Sequence, residues 1–229
     1  MMATEIAGMF LRLQKMFQPT VHVLVSQMLF SYMVSTVVKE HPSPTEANRE
    51  LFRLGLWGGS VAMLKFSKTI NPKDIWPKSF DVGKFTSYVK LNHGGAWYLF
   101  AGHMPEINVE ARGQKFIWVT LRELPGKETF YKIEAPEGVD VWYFLAGNYE
   151  GATLTLLRLV GEEEKYFTMW RPLPSRDGIE GFYAIRDLGP AEVIRTCNDL
   201  DPGFFKLVSW EDSAKFAEEL FGIKIPLLV

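Results

Sequence analysis

Three glycines crowd residues 51–64 (LFRLGLWGGSVAML), and glycine-rich turns are one way in which proteins bind phosphate. Gly55 and Gly59 are four residues apart, with Gly58 beside the second. A Walker-type phosphate loop needs a strand before the glycines and a Lys-Ser/Thr pair after them, but Ser-Val-Ala-Met follows here and the next lysine is Lys65. The dinucleotide fingerprint also requires a preceding strand, whereas these glycines lie inside a predicted helix. We therefore expect no nucleotide site here.

Side chains that could bind a metal or act as nucleophiles are few, and their spacing indicates no site. Cys197 is the single cysteine, which excludes a disulfide framework and a cysteine-rich zinc site and is interpreted as a small buried thiol. No Gly-x-Ser-x-Gly elbow is present. No histidine pair has the i, i+4 spacing of a helical metal site, although the last two could converge near the third predicted helix; the histidines are His22, His41, His93 and His103. We therefore predict no metal site and a protein that is not an enzyme.

The composition excludes several classes of partner. The chain has 229 residues, of which 47% are hydrophobic and 23% charged, and its formal net charge is −2. This balance leaves no electrostatic footprint for nucleic acid and no polybasic patch for a membrane. The N-terminal residues lack the pattern of a secretory signal and there is one cysteine, so we expect a cytoplasmic protein.

The first strong helix is predicted within an apolar stretch that could be mistaken for a membrane span. Residues 21–38 (VHVLVSQMLFSYMVSTVV) are interrupted by histidine, serine, glutamine and threonine, whereas a span needs about 20 predominantly apolar residues. We therefore predict a helix that runs toward Lys39 and is buried in the core or in an interface. Membrane association is expected to be peripheral at most.

Two more helices are predicted before any strand. Ser43, Pro44 and Glu46 form an N-cap, a first-turn proline and a capping box for a helix that ends near residue 68. Residues 71–77 form a loop. Asp81 can cap a third helix over residues 81–102, which two adjacent glycines in its middle could kink or break.

The second half of the chain mixes strands with one helix. Residues 115–121 (KFIWVTL) and 128–134 (ETFYKIE) have strand composition, with a Pro-Gly turn signal between them. Asp140 can cap a fourth helix that Gly161 closes. KYFTMWRPL and EGFYAIRDL follow as two strands. Strands adjacent in sequence favour antiparallel pairing and an α+β domain.

Residues 189–229 differ from the rest of the chain in their sequence pattern. GPAEVIRTCNDLDPG is interpreted as irregular and FFKLVSW as a short strand, and Ser209 with Asp212 can start a final helix. We therefore predict a domain over residues 1–188 and an extension over residues 189–229 that packs on the core.

A steric role explains the glycines better than phosphate chemistry. A helical glycine costs about 1 kcal/mol relative to alanine, so several together indicate a compensating close contact. The fourth predicted helix repeats the spacing with Gly147 and Gly151. Aromatic residues are also frequent on the second and third helices and the loop between them, so an apolar pocket for a ligand is the alternative to close helix packing.

The ordered motifs resemble the TRAPP small subunits (transport protein particle, a vesicle-tethering complex). RLGLWGGSVAML is similar to their helix with an Arg-apolar-Gly-x-x-x-Gly pattern, and SFDVGKFTSYVKLNHGGAWYLF to their third helix. KFIWVTLRELP resembles the following strand, and VWYFLAGNYEGATLTLL the helix before the final strand pair, a block shared with 4-vinyl-reductase-like ligand-sensing domains. The resemblance covers about residues 10–188.

The resemblance implies an α+β fold with helices packed on one side of a twisted antiparallel sheet, in the order ααα-ββ-α-ββ followed by the C-terminal extension. It also implies a non-catalytic assembly or adaptor subunit that forms a homodimer, or a heterodimer with a related subunit, through its first two helices. The alternative is a sensor domain that binds a small apolar ligand or lipid.

One family feature is altered. Some members carry a cysteine just before the third helix that is acylated within an apolar tunnel, and Ser79 stands at that position. A serine cannot form the thioester, so no cofactor is expected other than a non-covalently bound lipid or similar apolar ligand. The predicted residues for helix packing or an apolar pocket are Gly55, Gly58, Gly59, Phe66, Ser79, Phe80, Phe85, Trp97, Gly147 and Gly151.

Overall fold

The computed structural model describes residues 23–126 and 135–207, without the side chains of residues 23–27, 99 and 100. The described chain is an α+β fold, as predicted. Its helices and strands are α1 (Val23–Glu40), α2 (Pro44–Phe66), α3 (Pro72–Ile75), α4 (Val82–Ala101), β1 (Glu106–Arg112), β2 (Phe116–Arg122), α5 (Trp142–Val160), β3 (Tyr166–Pro172), β4 (Gly178–Ile185), α6 (Pro190–Leu200) and α7 (Phe204–Leu207).

The four strands form one antiparallel sheet in the order β1-β2-β4-β3. The strands predicted at residues 115–121 and in the final pair are confirmed as β2, β3 and β4. Strand β1 (EINVEAR) was not predicted, because its glutamate, asparagine and alanine have low strand propensity and its pairing with β2 decides its conformation. The strand predicted at residues 128–134 lies outside the described residues.

The helix ends test the predicted capping signals. Asp81 caps α4, since its carboxylate accepts a hydrogen bond from the backbone N–H of Lys84 at 2.9 Å. Gly161 closes α5 in the left-handed conformation, with φ of 75°. Ser43 is the N-cap residue of α2 and Pro44 its first residue, as predicted, but the predicted capping box is wrong, because the Ser43 side chain makes no cap hydrogen bond.

Helix α4 runs without a break through its two central glycines. A Cβ at Gly94 would overlap the side chain of Met104 and lie 2.9 Å from Cδ1 of Ile107. This glycine therefore lets the loop after α4 and strand β1 approach the helix. The predicted loop at residues 71–77 differs as well, because it contains the single turn α3.

The chain after β4 is more helical than predicted. The segment expected to be irregular forms α6, which starts at Pro190 and buries Val193 and Cys197, one turn apart, on one face. The expected strand FFKLVSW begins instead as α7, and the helix predicted from residues 209–212 lies outside the described residues. The division of the chain at residue 188 stays a prediction.

Both faces of the sheet are covered. Helices α4 and α5 pack on one face, and α5 in turn packs against α2. On the opposite face, the ring of Phe204 in α7 lies 5.0 Å from Trp118 and 5.7 Å from Phe182. Within the part of the chain described, no helix is long and apolar enough to cross a membrane.

Candidate functional site

The glycines of α2 and α5 form the contact between these two helices. A Cβ at any of the four would overlap a backbone carbonyl oxygen of the opposite helix, namely that of Phe144 for Gly55, Asn148 for Gly59, Phe52 for Gly147 and Leu56 for Gly151. Protein backbone therefore occupies the space directly beside them. Gly58 differs, since a Cβ there would lie 3.5 Å from Nδ2 of Asn148, an ordinary contact distance.

Ser60 adds a polar bond to this helix pair. Its hydroxyl donates to the carbonyl oxygen of Leu56 in its own helix at 2.8 Å and lies 3.3 Å from the carbonyl oxygen of Gly151 in α5. Ser60 is buried, so this contact also satisfies a hydroxyl that has no access to water.

Three of the four predicted aromatic residues, Phe80, Phe85 and Trp97, lie on the other side of α5. Phe85 is fully buried, with ring centroids of Phe80 at 4.9 Å, Tyr183 at 5.4 Å and Trp76 at 5.5 Å. Trp97 stacks on the ring of Trp142 at 5.5 Å instead. The predicted set therefore does not converge on one pocket, because α5 separates its glycines from the cluster around Phe85.

The remaining two predicted residues lie nearer the surface. Ser79 is exposed in the turn before α4, where its hydroxyl accepts a hydrogen bond from Nζ of Lys84 at 3.0 Å. Phe66 is half-buried at the end of α2.

A buried polar network that sequence reasoning missed joins α4, α5 and β4. The Tyr183 hydroxyl lies 2.6 Å from Nε2 of His93 and 3.3 Å from Oγ1 of Thr153, and Tyr149 donates to the His93 carbonyl oxygen at 2.6 Å. Burial lowers the pKa of His93 to about 3, so its ring is neutral at physiological pH. His93 does not meet His103, whose ring contacts Glu123 instead.

Glu150 is a carboxylic acid inside the core, on α5. It is fully buried, and this burial raises its pKa well above the ordinary range, with a weaker opposing effect from the Trp170 backbone. Burial therefore favours the protonated, uncharged form of the Glu150 carboxyl in the folded protein. The sequence contained a signal for it, since a lone glutamate within an apolar helix has either a partner or a shifted pKa.

The Glu150→Gln variant is expected to gain stability over the unaltered chain as pH rises. A raised pKa in the folded state makes the Glu150 contribution complete below the pKa of the unfolded chain and progressively lost above it. Glutamine has no proton to lose, so the difference should widen from pH 4 to pH 8. Urea unfolding across this range measures it, with the exposed Glu137→Gln as the control. A difference that stays constant with pH would refute the assignment.

A buried ion cluster lies on the opposite face of the sheet. The guanidinium of Arg171 is buried, and its Nε and Nη2 donate to Oε1 of Glu180 at 2.8 and 2.6 Å. Arg171 also pairs with Asp201 just before α7 and lies 4.8 Å above the ring of Phe204. One arginine thus connects strands β3 and β4 to the segment that follows α6.

A surface groove of about 510 Å³ separates the β1–β2 turn from α6. Its basic side chains already have acidic neighbours: Nη2 of Arg195 lies 2.5 Å from Oε1 of Glu192, and Nζ of Lys115 lies 2.8 Å from Oδ2 of Asp187. Because its acidic and basic side chains are paired with each other, the groove does not indicate which class of ligand it would bind.

Comparison with known proteins gives one kind of match. Neither family models nor curated proteins match the sequence. Among solved structures, the fold is similar to a trafficking protein particle complex subunit 3 from Naegleria fowleri, crystallised covalently bound to palmitic acid. That protein is 16% identical, the match covers 71% of this chain and 93% of that chain, and the TM-score is 0.48.

Proposed function

We propose that this protein is a non-catalytic assembly subunit of the TRAPP type, which pairs with a second copy of itself through the outward faces of α1 and α2. The observation that carries the proposal is a group of large apolar side chains left in water on these two helices. We place this subunit in the cytoplasm, with at most peripheral contact to membranes.

The outward face of α1 is unusually apolar for a surface. Met28 is 65% exposed, Leu29 64% and Tyr32 74%, and these positions share one side of the helix. The inward side is already used, because Phe30 is buried with its ring 4.8 Å from that of Phe144 in α5. Exposed apolar groups of this size on a soluble protein indicate an interaction surface.

Helix α2 also has large apolar side chains exposed to solvent. Trp57 is 57% exposed and Leu64, two turns later, is 44% exposed, while the glycine face of the same helix packs on α5. Tryptophan and tyrosine are the residues most often found at the energetic centres of protein interfaces. The sequence resemblance implies pairing through these same two helices, which supports the proposal.

Catalysis is not part of the proposal. The polar groups with the most unusual environments, His93 and Glu150, are buried and held by neighbouring side chains or surrounded by the core. A lipid-binding function stays a prediction, since no described contact favours it: backbone lies beside the paired glycines and aromatic rings surround Phe85.

Replacing Tyr32 and Trp57 together by serine is expected to disrupt pairing through the outward faces of α1 and α2. The loss of two large contact residues should raise the dissociation constant about 30-fold or more. Light scattering over a dilution series measures this, with Lys90→Ser, at an exposed site on α4, as the control. Both residues are exposed, so the melting temperature of the monomer should change little. A Tyr32→Ser/Trp57→Ser chain that associates as strongly as the control would contradict the proposal.

A further inference from the structure

Strand β1 differs from the other strands in its exposure. Strands β3 and β4 are almost entirely buried and β2 nearly so, but every residue of β1 is half-buried or exposed. Strand β1 ends the sheet, and among the described residues it pairs only with β2. Within residues 23–126 and 135–207, its outer edge therefore presents backbone N–H and C=O groups that no other strand pairs with and that can accept another strand.

The usual protections against strand addition are weak on β1. All seven of its residues pair with β2 in continuous register, with no bulge, and none is proline or glycine. The other edge strand, β3, is buried, packs against α5 and ends in Pro172. Charged side chains can also protect an edge, so the positions of the charges on β1 decide what it can bind.

Two of the three charges on β1, those of Glu106 and Arg112, are complementary to those of the same strand turned around, and Arg112 also pairs with Glu110 of its own strand at 2.5 Å. Ile107 faces α4, so Glu106, Asn108, Glu110 and Arg112 share the opposite face by alternation. If two copies align antiparallel with Val109 opposite Val109, Glu106 of each copy lies opposite Arg112 of the other. Ile107 then lies opposite Ala111, which extends the apolar face, and Asn108 lies opposite Glu110.

We propose that the free edge of β1 pairs with the β1 edge of a second copy, antiparallel about a twofold axis at Val109, to form a sheet continuous across two subunits. This contact is distinct from the α1–α2 surface. A chain with two separate self-complementary surfaces can build an assembly larger than a dimer, because each surface binds a different neighbour.

Charge reversal tests the register. The chain carrying Tyr32→Ser and Trp57→Ser provides the background, so that helix pairing does not dominate the measurement. In Glu106→Lys, lysine lies opposite Arg112 of the second copy, and in Arg112→Glu two glutamates are opposed. Each change should raise the dissociation constant roughly tenfold by sedimentation, since like charges opposite each other destabilise strand pairs.

Recombining the changes provides the decisive control. The double variant Glu106→Lys/Arg112→Glu restores opposite charges and should associate like the background chain. An equimolar mixture of the two single variants should also associate, because each then meets its complement. If the background chain is a monomer throughout the dilution series, if the single variants associate unchanged, or if the recombined forms do not recover, the proposal is overturned.

Disulfide trapping gives an independent measurement. Two cysteines placed by Val109→Cys lie directly opposite each other on the axis, whereas two placed by Glu106→Cys lie about 20 Å apart along the strands. The native Cys197 is free but buried. Mild oxidation should therefore give a covalent dimer for Val109→Cys and not for Glu106→Cys. Equal cross-linking of both would overturn the proposed register.

Discussion

Replacing Gly151 by alanine is expected to lower the free energy of unfolding by about 2–3 kcal/mol, although alanine is the better helix former. The added Cβ would overlap the carbonyl oxygen of Leu56 in α2. A backbone carbonyl cannot move to another rotamer as a flexible side chain can. Helices α2 and α5 must therefore separate, which weakens their packing along its whole length. Urea unfolding monitored by circular dichroism measures the change.

Gly58→Ala is the matched control, in the opposite helix of the same pair. Its Cβ would lie at ordinary contact distance, 3.5 Å from Nδ2 of Asn148 and 4.0 Å from Cζ of Phe144. The substitution should therefore stabilise the protein by up to about 1 kcal/mol through helix propensity alone. Opposite signs for Gly151→Ala and Gly58→Ala are the expected result, and equal signs would refute the assigned helix contact.

Replacing Arg171 by methionine is expected to cost about 3–5 kcal/mol of unfolding free energy. The substitution keeps most of the apolar stem but leaves the carboxylates of Glu180 and Asp201 without their common partner. Burial already raises the pKa of Glu180, and Arg171 opposes this effect. Without the arginine, Glu180 takes up a proton more readily, so the cost should shrink in acid.

The exposed pair of Lys115 and Asp187 serves as the comparison. Its side chains are 46% and 61% exposed with Nζ and Oδ2 2.8 Å apart, so Lys115→Met should cost less than about 1 kcal/mol. Chemical unfolding of both variants at pH 7 and pH 4.5 measures the contrast. Similar losses for the buried and exposed pairs, or a larger loss for Arg171→Met in acid, would contradict the assigned role of Arg171.

The glycine spacing predicted a helix contact, and the contacts in the structure explain why the sequence alone could indicate it. Glycine at i and i+4 leaves one helix face without side chains, and the same pattern at Gly147 and Gly151 supplies the second face. The two glycine faces therefore pack against each other. The aromatic residues carried no comparable information, because a phenylalanine such as Phe85 fits any apolar surrounding that offers enough space.

Local signals in the sequence established the α+β class, helices α1, α2, α4 and α5, and strands β2, β3 and β4, because periodicity, caps and strand propensity act over a few residues. Long-range contacts decided the rest. EINVEAR becomes a strand because β2 lies beside it, and α6 and α7 lie against the sheet through Phe204 and the pairing of Arg171 with Asp201. His93 and Glu150 have shifted pKa values because the fold removes water from them. These effects depend on contacts between residues far apart in the chain. A pattern of neighbouring residues cannot predict such contacts.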